Sequence, residues 1–109
     1  MTDKIVVLTT CASEQEAEAL ARSMVEQGVA ACVNVIGGVK SYYHWQGKLE
    51  SAAEWLLLIK SSRSAFAALR AALERAHSYE VPEVIALPVV DGSPNYLNWL
   101  STNLAAENE

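Results

Sequence analysis

Three segments of this chain are apolar at almost every position, and they limit the folds that it can adopt. They are AACVNVI at residues 30–36, WLLLI at 55–59 and VIALPVV at 84–90. A strand with one solvent-exposed face alternates apolar and polar residues, whereas these segments place apolar side chains on both faces of a sheet. A bare apolar face of that size is rare on a soluble monomer. We therefore predict a sheet whose second face is covered by other copies of the chain.

The first quarter of the chain predicts one further strand and a helix. KIVVLTT at residues 4–10 is β-branched and apolar, which is typical of a buried strand. Ser13 stands three residues before Glu16, the spacing of a capping box. Gly28 supplies a residue suited to the left-handed position that ends such a helix.

A long hairpin is predicted in the middle of the chain. The strand at 29–36 continues as VKSYYHW at 39–45, so Gly37 and Gly38 predict a bulge rather than a break. Gln46 and Gly47 supply the turn, and KLESAAEWLLLIK at 48–60 returns as the partner strand.

The last third predicts two helices separated by a strand. The second helix should begin at Ser62 or Ser64, with an apolar stripe at Phe66, Leu69, Leu73 and Ala76. EVIALPVV at 83–90 is the strand. A short final helix should begin with Ser93 as its cap and Pro94 in its first position, and it carries Leu97, Leu100 and Leu104.

The resulting order of elements is β-α-β-β-α-β with a terminal helix. This order predicts an α+β, ferredoxin-like fold with a long β-hairpin and a short C-terminal helix. No linker or low-complexity segment divides the chain, so residues 1–109 are expected to form a single domain. Both main helices should cover the same face of the sheet, because the two crossovers share one hand.

Charge and composition exclude several classes of partner. The chain carries 13 acidic and 8 basic residues, a net charge of −5, without the basic patch that nucleic-acid binding requires. Its apolar runs, such as the one at residues 55–59, are too short for a membrane span. The two cysteines lack the density of a disulfide framework, and the N-terminus does not resemble an export signal. A cytoplasmic location with reduced thiols is expected.

His77 is the leading candidate for chemistry, and two interpretations of it stay open. With Glu80 and Glu83 it could form a mixed nitrogen and oxygen site that suits copper, nickel or zinc. The favoured interpretation is that it caps the last carbonyls of the second helix. Tyr79 is expected to pack in a subunit seam and to offer its hydroxyl to a cleft.

The remaining candidates do not indicate an enzyme. Cys11 is predicted just past the first strand and before a helix, a place that lowers a thiol pKa and favours reactivity. Cys32 is expected to be a small core residue. No nucleophile motif or phosphate loop is present, so neither catalysis nor an organic cofactor is expected. At the hairpin tip, Tyr43, Trp45 and Lys48 are predicted to contact a neighbouring chain.

Several motifs in order resemble one family. VVLTT, VAACVNVIGGVKSYYHWQGKLE, HSYEVPEVIALPV and YLNWL are similar to the CutA divalent-cation-tolerance family over about residues 5–100. The resemblance implies a ferredoxin-like fold, a tight homotrimer similar to PII signalling proteins, and a role in tolerance of copper and other divalent metals. It thus agrees with the oligomer predicted above from the two-faced strands.

The resemblance also carries a candidate metal site. Some family members have a cysteine at Thr9 and a histidine at Ala76, beside the histidine that matches His77, and these have been proposed as copper ligands. This chain keeps His77 of the three, so weak copper binding is expected, with Cys11, Tyr79, Glu80 and Glu83 as secondary ligands or cleft residues. The alternative is a PII-like regulatory module that binds a small molecule, such as a small anionic ligand, between subunits.

Overall fold

Four strands, three α-helices and one 3-10 turn form over residues 1–105, the part of the chain that the computed structural model describes. In chain order they are β1 (Lys4–Cys11), α1 (Glu14–Glu26), β2 (Cys32–Trp45), β3 (Lys48–Ser62), the 3-10 turn (Arg63–Ala65), α2 (Phe66–Ala76), β4 (Ile85–Pro88) and α3 (Pro94–Thr102). The strands pair antiparallel in the order β2-β3-β1-β4. The predicted α+β, ferredoxin-like fold is confirmed.

The core lies between one face of the sheet and the helices α1 and α2. Alternate residues of β1 and β3, including Val7, Leu57 and Ile59, have no exposed surface. They pack against the apolar stripes of both helices, as the common hand of the crossovers predicts. The buried stripe of α1 consists of Ala17, Leu20 and Met24, and that of α2 consists of Leu69, Ala72 and Leu73.

Several predicted boundaries are wrong by a few residues, for identifiable reasons. β2 begins at Cys32 and not at residue 29, because the N–H groups of Val29 and Ala30 donate to the carbonyl of Met24 at the end of α1. Gly28, at φ +72°, makes this reversal. β4 covers residues 85–88 and not 83–90. Past Pro88 the segment stays bonded to the start of the chain, because the Val89 N–H donates to the Lys4 carbonyl at 3.0 Å and the Val89 carbonyl accepts from the Thr2 N–H at 3.2 Å.

The helix starts and stripes are partly as predicted. The Ser13 hydroxyl accepts from the Glu16 N–H at 3.1 Å and caps α1. The second helix instead begins with the 3-10 turn, and the hydroxyls of Ser62 and Ser64 bond each other at 3.1 Å without capping α2. The predicted apolar stripe of α2 was wrong at Ala76, which is exposed. The stripe also includes Ala72, which is buried and was not predicted.

The hairpin of β2 and β3 extends past the rest of the sheet. A bulge between Ile36 and Val39 and a turn at Gln46 and Gly47 occur where they were predicted. β1 ends opposite Trp55, so the seven residue pairs at 39–45 and 48–54 have no third strand beside them. We call residues 39–54 the hairpin arm. At about 3.4 Å per residue the arm is about 24 Å long.

The sheet face opposite α1 and α2, which we call the second sheet face, is also largely apolar. On this face β1 and β3 place the apolar residues Val6, Leu8, Leu56 and Leu58 beside the polar residues Thr10 and Lys60, and at its edges Ile36, Ile85 and Leu87 are 42–49% exposed. The prediction of apolar side chains on both faces is confirmed. Leu100 of α3 and Leu104, which follows the helix, are buried against Ala31, so this part of the chain covers only one end of the sheet. Within residues 1–105, no helix is both long and apolar enough to cross a membrane.

Candidate functional site

The end of α2, the end of β1 and the base of the hairpin arm meet around His77. This residue is the C-cap of α2, and its side chain has no exposed surface. Its Nε2 lies 2.8 Å from the carbonyl oxygen of Thr10, which can only accept, so Nε2 carries the proton. Nδ1 lies 3.0 Å from the backbone nitrogen of Tyr79 and accepts its proton. Both ring nitrogens are therefore engaged in a neutral imidazole.

This geometry corrects one interpretation of His77. Its ring does not cap the carbonyls of its own helix, because it bonds the carbonyl of Thr10 in β1 and so fastens two elements together. A metal-ligating imidazole needs a free nitrogen lone pair, and here that of Nδ1 accepts from Tyr79. Among residues 1–105, no group of three or more histidines, cysteines or acidic residues could hold a metal ion. The residues that the structure describes in one chain therefore do not fit a resident metal.

The other predicted ligands are dispersed. Glu80 and Glu83 are exposed, and no described hydrogen bond joins either of them to His77. Ala76 is exposed, while Thr9 is fully buried and its hydroxyl has no partner within residues 1–105. The role of His77 as a metal ligand stays a prediction.

Glu16 ties the start of α1 to the segment after α2. Its two carboxylate oxygens accept from the Ser78 N–H at 2.8 Å and the Ser78 hydroxyl at 2.9 Å. Burial by itself would raise the pKa of Glu16, but the hydrogen bonds from Ser78 outweigh it and lower that pKa. The carboxylate therefore stays charged below its usual titration range. Oε2 of Glu16 is 3.6 Å from His77 Nδ1.

The prediction that Cys11 is a reactive thiol was wrong. Cys11 is the last residue of β1, has no exposed surface, and directs its Sγ at the Ser13 carbonyl at 3.6 Å. Burial and the nearby charge of Glu16 raise the pKa of Cys11. A protonated, inaccessible thiol is inert. Cys32 is half-buried at the start of β2, where it lies opposite Lys60 of β3, and not in the core.

Tyr79 joins this cluster to the hairpin arm through Glu54, a residue that the sequence interpretation missed. The Tyr79 hydroxyl donates to Oε2 of Glu54 at 2.7 Å, and Glu54 is only 8% exposed. Burial, followed by the hydrogen bond and charge of Glu54, raises the pKa of Tyr79 well above its ordinary value. A signal was present in the sequence, since Glu54 is the one acidic residue next to the apolar run at 55–59.

The predicted trimer contacts lie on the surface of the hairpin arm. Tyr43 is 43% exposed and Trp45 is 60% exposed, and Lys48 is exposed beside the turn. Their contact with a neighbouring chain stays a prediction.

Comparison with known sequences gives a consistent result. Residues 5–103 match the family model described as CutA1 divalent ion tolerance protein. The divalent-cation tolerance protein CutA of Thermus thermophilus is 44% identical over 98 residues, which are 90% of this chain and 95% of that protein. The chloroplastic protein CutA of Arabidopsis thaliana is 43% identical over 91% of this chain, but the match spans only 54% of the plant protein.

Solved structures agree with the sequence matches. The crystal structure of CutA from Xylella fastidiosa has a TM-score of 0.93 and 38% identity, with coverage of 94% of this chain and 99% of that chain. The structure of a CutA from Archaeoglobus fulgidus, described as a periplasmic divalent cation tolerance protein, has a TM-score of 0.89 and 33% identity over 92% of this chain and 97% of that one. The described locations of these similar proteins therefore differ.

Proposed function

This chain belongs to the CutA1 divalent ion tolerance family, and from that premise we propose that it is a homotrimeric divalent-cation-tolerance protein without enzymatic activity. It acts as a single domain in the cytoplasm and needs no organic cofactor. The observation that carries the proposal is the apolar second sheet face, which α3 covers only at one end.

Physical arguments support assembly through this face. Side chains such as Ile36, Ile85 and Leu87 stay 42–49% exposed in the single chain, and each would be stabilised by burial at about 25 cal/mol per Å² of apolar surface. The hairpin arm has no third strand, and isolated two-stranded ribbons are only marginally stable in water. Neighbouring copies would cover both features, in an interface of the obligate class, above about 2,000 Å².

Metal tolerance is proposed here without a tightly held resident ion. A copper ion at His77 would have to displace the Tyr79 N–H from Nδ1 and enter a fully buried position. Copper binding through this residue is therefore weak, and copper ranks above zinc or nickel by its intrinsic affinity for nitrogen ligands rather than by the design of the site.

The test has a physical and a cellular arm. Sedimentation equilibrium should find a trimer at every concentration at which the chain is folded, and a folded monomer at nanomolar concentration would contradict the assembly. In a bacterial strain that lacks its own CutA-family gene, expression of this chain should restore growth in raised copper. Growth equal to that of the empty vector would contradict the metal role.

One observation favours a second candidate, a PII-like regulatory module. Tyr79, Glu54 and Glu16 form a polar cluster at the base of the hairpin arm, which neighbouring copies would convert into a cleft. Because two of these residues are carboxylates, the cleft favours a cationic or hydrogen-bond-donating molecule over the small anionic ligand expected from sequence. A thermal-shift screen with cationic and anionic metabolites tests this candidate, and equal shifts for both classes would contradict it.

A further inference from the structure

Glu54 is a largely buried carboxylate with one oxygen that no described group bonds. It is 8% exposed, and the Tyr79 hydroxyl is its one hydrogen-bond donor within residues 1–105. An ionised carboxylate offers about four acceptor positions. A largely buried charge is stabilised by a counter-charge, and the oxygen that Tyr79 leaves free is not among the fully buried unpartnered atoms of residues 1–105, so a cation can approach it. No described ion pair supplies a cation to Glu54.

The nearest lysines along the same chain cannot reach this carboxylate. Lys40 lies opposite Ala53, and because successive side chains of a strand point to opposite faces, Lys40 points away from Glu54. Lys48 and Lys60 each lie six residues from Glu54 along β3. At about 3.4 Å per residue that is about 20 Å, far beyond a four-carbon side chain.

We infer that Glu54 accepts the ammonium group of Lys48 from a neighbouring copy, so that the polar cluster is completed only between subunits. The hairpin arm holds Lys48 about 20 Å from its own Glu54 and presents it outward. Trp45 at 60% exposure and Leu49 at 71% flank it at the tip. On docking, these apolar neighbours would exclude water and strengthen the ion pair. The inference rests on the proposed homotrimer.

Zero-length carbodiimide cross-linking tests the contact directly. Chains of natural isotope content and ¹⁵N-labelled chains are unfolded, mixed and refolded together, and the wild-type complex is then cross-linked and digested. We expect a Glu54–Lys48 amide in which the two peptides carry different isotope labels. If cross-links between chains form but Lys48 joins other carboxylates, the inference is overturned.

A double-mutant cycle provides a second measurement that does not depend on reagent access. Glu54→Gln keeps an oxygen for the Tyr79 hydroxyl, and Lys48→Ala removes only the exposed cation. Each should raise the constant for dissociation of the trimer into unfolded chains, measured by urea unfolding at several chain concentrations, by about tenfold or more per ion pair, and the double variant should be no worse than either single one. Lys40→Ala is the matched control and should change nothing.

The outcomes separate this inference from the proposed function. A wild-type chain that is monomeric would contradict the trimer itself. A trimer whose dissociation is unchanged by Lys48→Ala, or changed equally by Lys40→Ala, overturns the ion pair and leaves the trimer in place. Strictly additive effects of Glu54→Gln and Lys48→Ala would also overturn it, because residues in contact must show coupling.

Discussion

Replacing His77 with alanine should destabilise the fold far more than the loss of an exposed helix cap. The substitution leaves the carbonyl of Thr10 and the N–H of Tyr79 without partners in a region where the side chain had no exposed surface. Each unsatisfied buried group costs about 1–3 kcal/mol, so the two together predict a loss of about 2–6 kcal/mol. An exposed interaction with a helix end would be worth only about 0.3–1 kcal/mol.

Urea unfolding at fixed chain concentration measures this difference, because the stability of an oligomer depends on protomer concentration. His44→Ala is the matched control, since His44 is exposed on the hairpin arm. We expect the midpoint of His77→Ala to fall strongly and that of His44→Ala to change little. A loss below about 1 kcal/mol for His77→Ala would refute the view that the ring fastens α2 to β1. Calorimetric titration with copper at pH 7 measures metal binding by the wild type and the same two variants. The weak binding should be lost in His77→Ala and kept in His44→Ala.

Three further predictions concern the residues around His77. Thr9→Val replaces a buried hydroxyl without a described partner by a methyl group, and it should stabilise the fold by up to about 1 kcal/mol in thermal or urea unfolding. A lower stability of the variant would show that the hydroxyl has a hydrogen-bond partner. Cys11 should resist a thiol reagent at pH 8 until the chain unfolds. Cys32, which is half-buried, should react in the native single chain or when the trimer dissociates. Rapid labelling of Cys11 in the native protein would contradict its raised pKa. Because the pKa of Tyr79 is raised, the folded state keeps a proton that the unfolded state releases above about pH 10. The free energy of unfolding should therefore fall as the pH rises past about 10, and this fall should be smaller in Tyr79→Phe.

Local signals predicted the parts of the fold that depend on a few adjacent residues. The Ser13 cap, the bulge at Gly37 and Gly38, and the turn at Gln46 and Gly47 follow from backbone preferences that act over two to four positions. The start of β2 was misplaced because Val29 and Ala30 are as apolar as strand residues, but their N–H groups bond the Met24 carbonyl at the end of α1. Hydropathy does not distinguish an apolar strand from an apolar segment that follows and terminates a helix.

The candidate site depended on contacts between distant parts of the chain, and it was predicted less well. His77 and Thr10 are 67 positions apart, and Tyr79 and Glu54 are 25 apart. No spacing rule connects such residues, so the sequence identified His77 and Tyr79 as candidates but not their partners. Cys11 shows the same limit, because a position near a helix start suggested a lowered thiol pKa, whereas burial in the completed core raises it.

The hairpin arm has a consequence for how the chain folds during synthesis. Its two strands, at residues 39–45 and 48–54, pair only with each other, and they expose Tyr42, Trp45 and Leu49 at 60–71%. Until copies meet, each chain therefore displays two long unpaired edges rich in aromatic residues, the kind of surface that templates aggregation. The rate of encounter between copies would then compete with misassociation, so the yield of correctly assembled protein should depend on how fast newly made chains find one another.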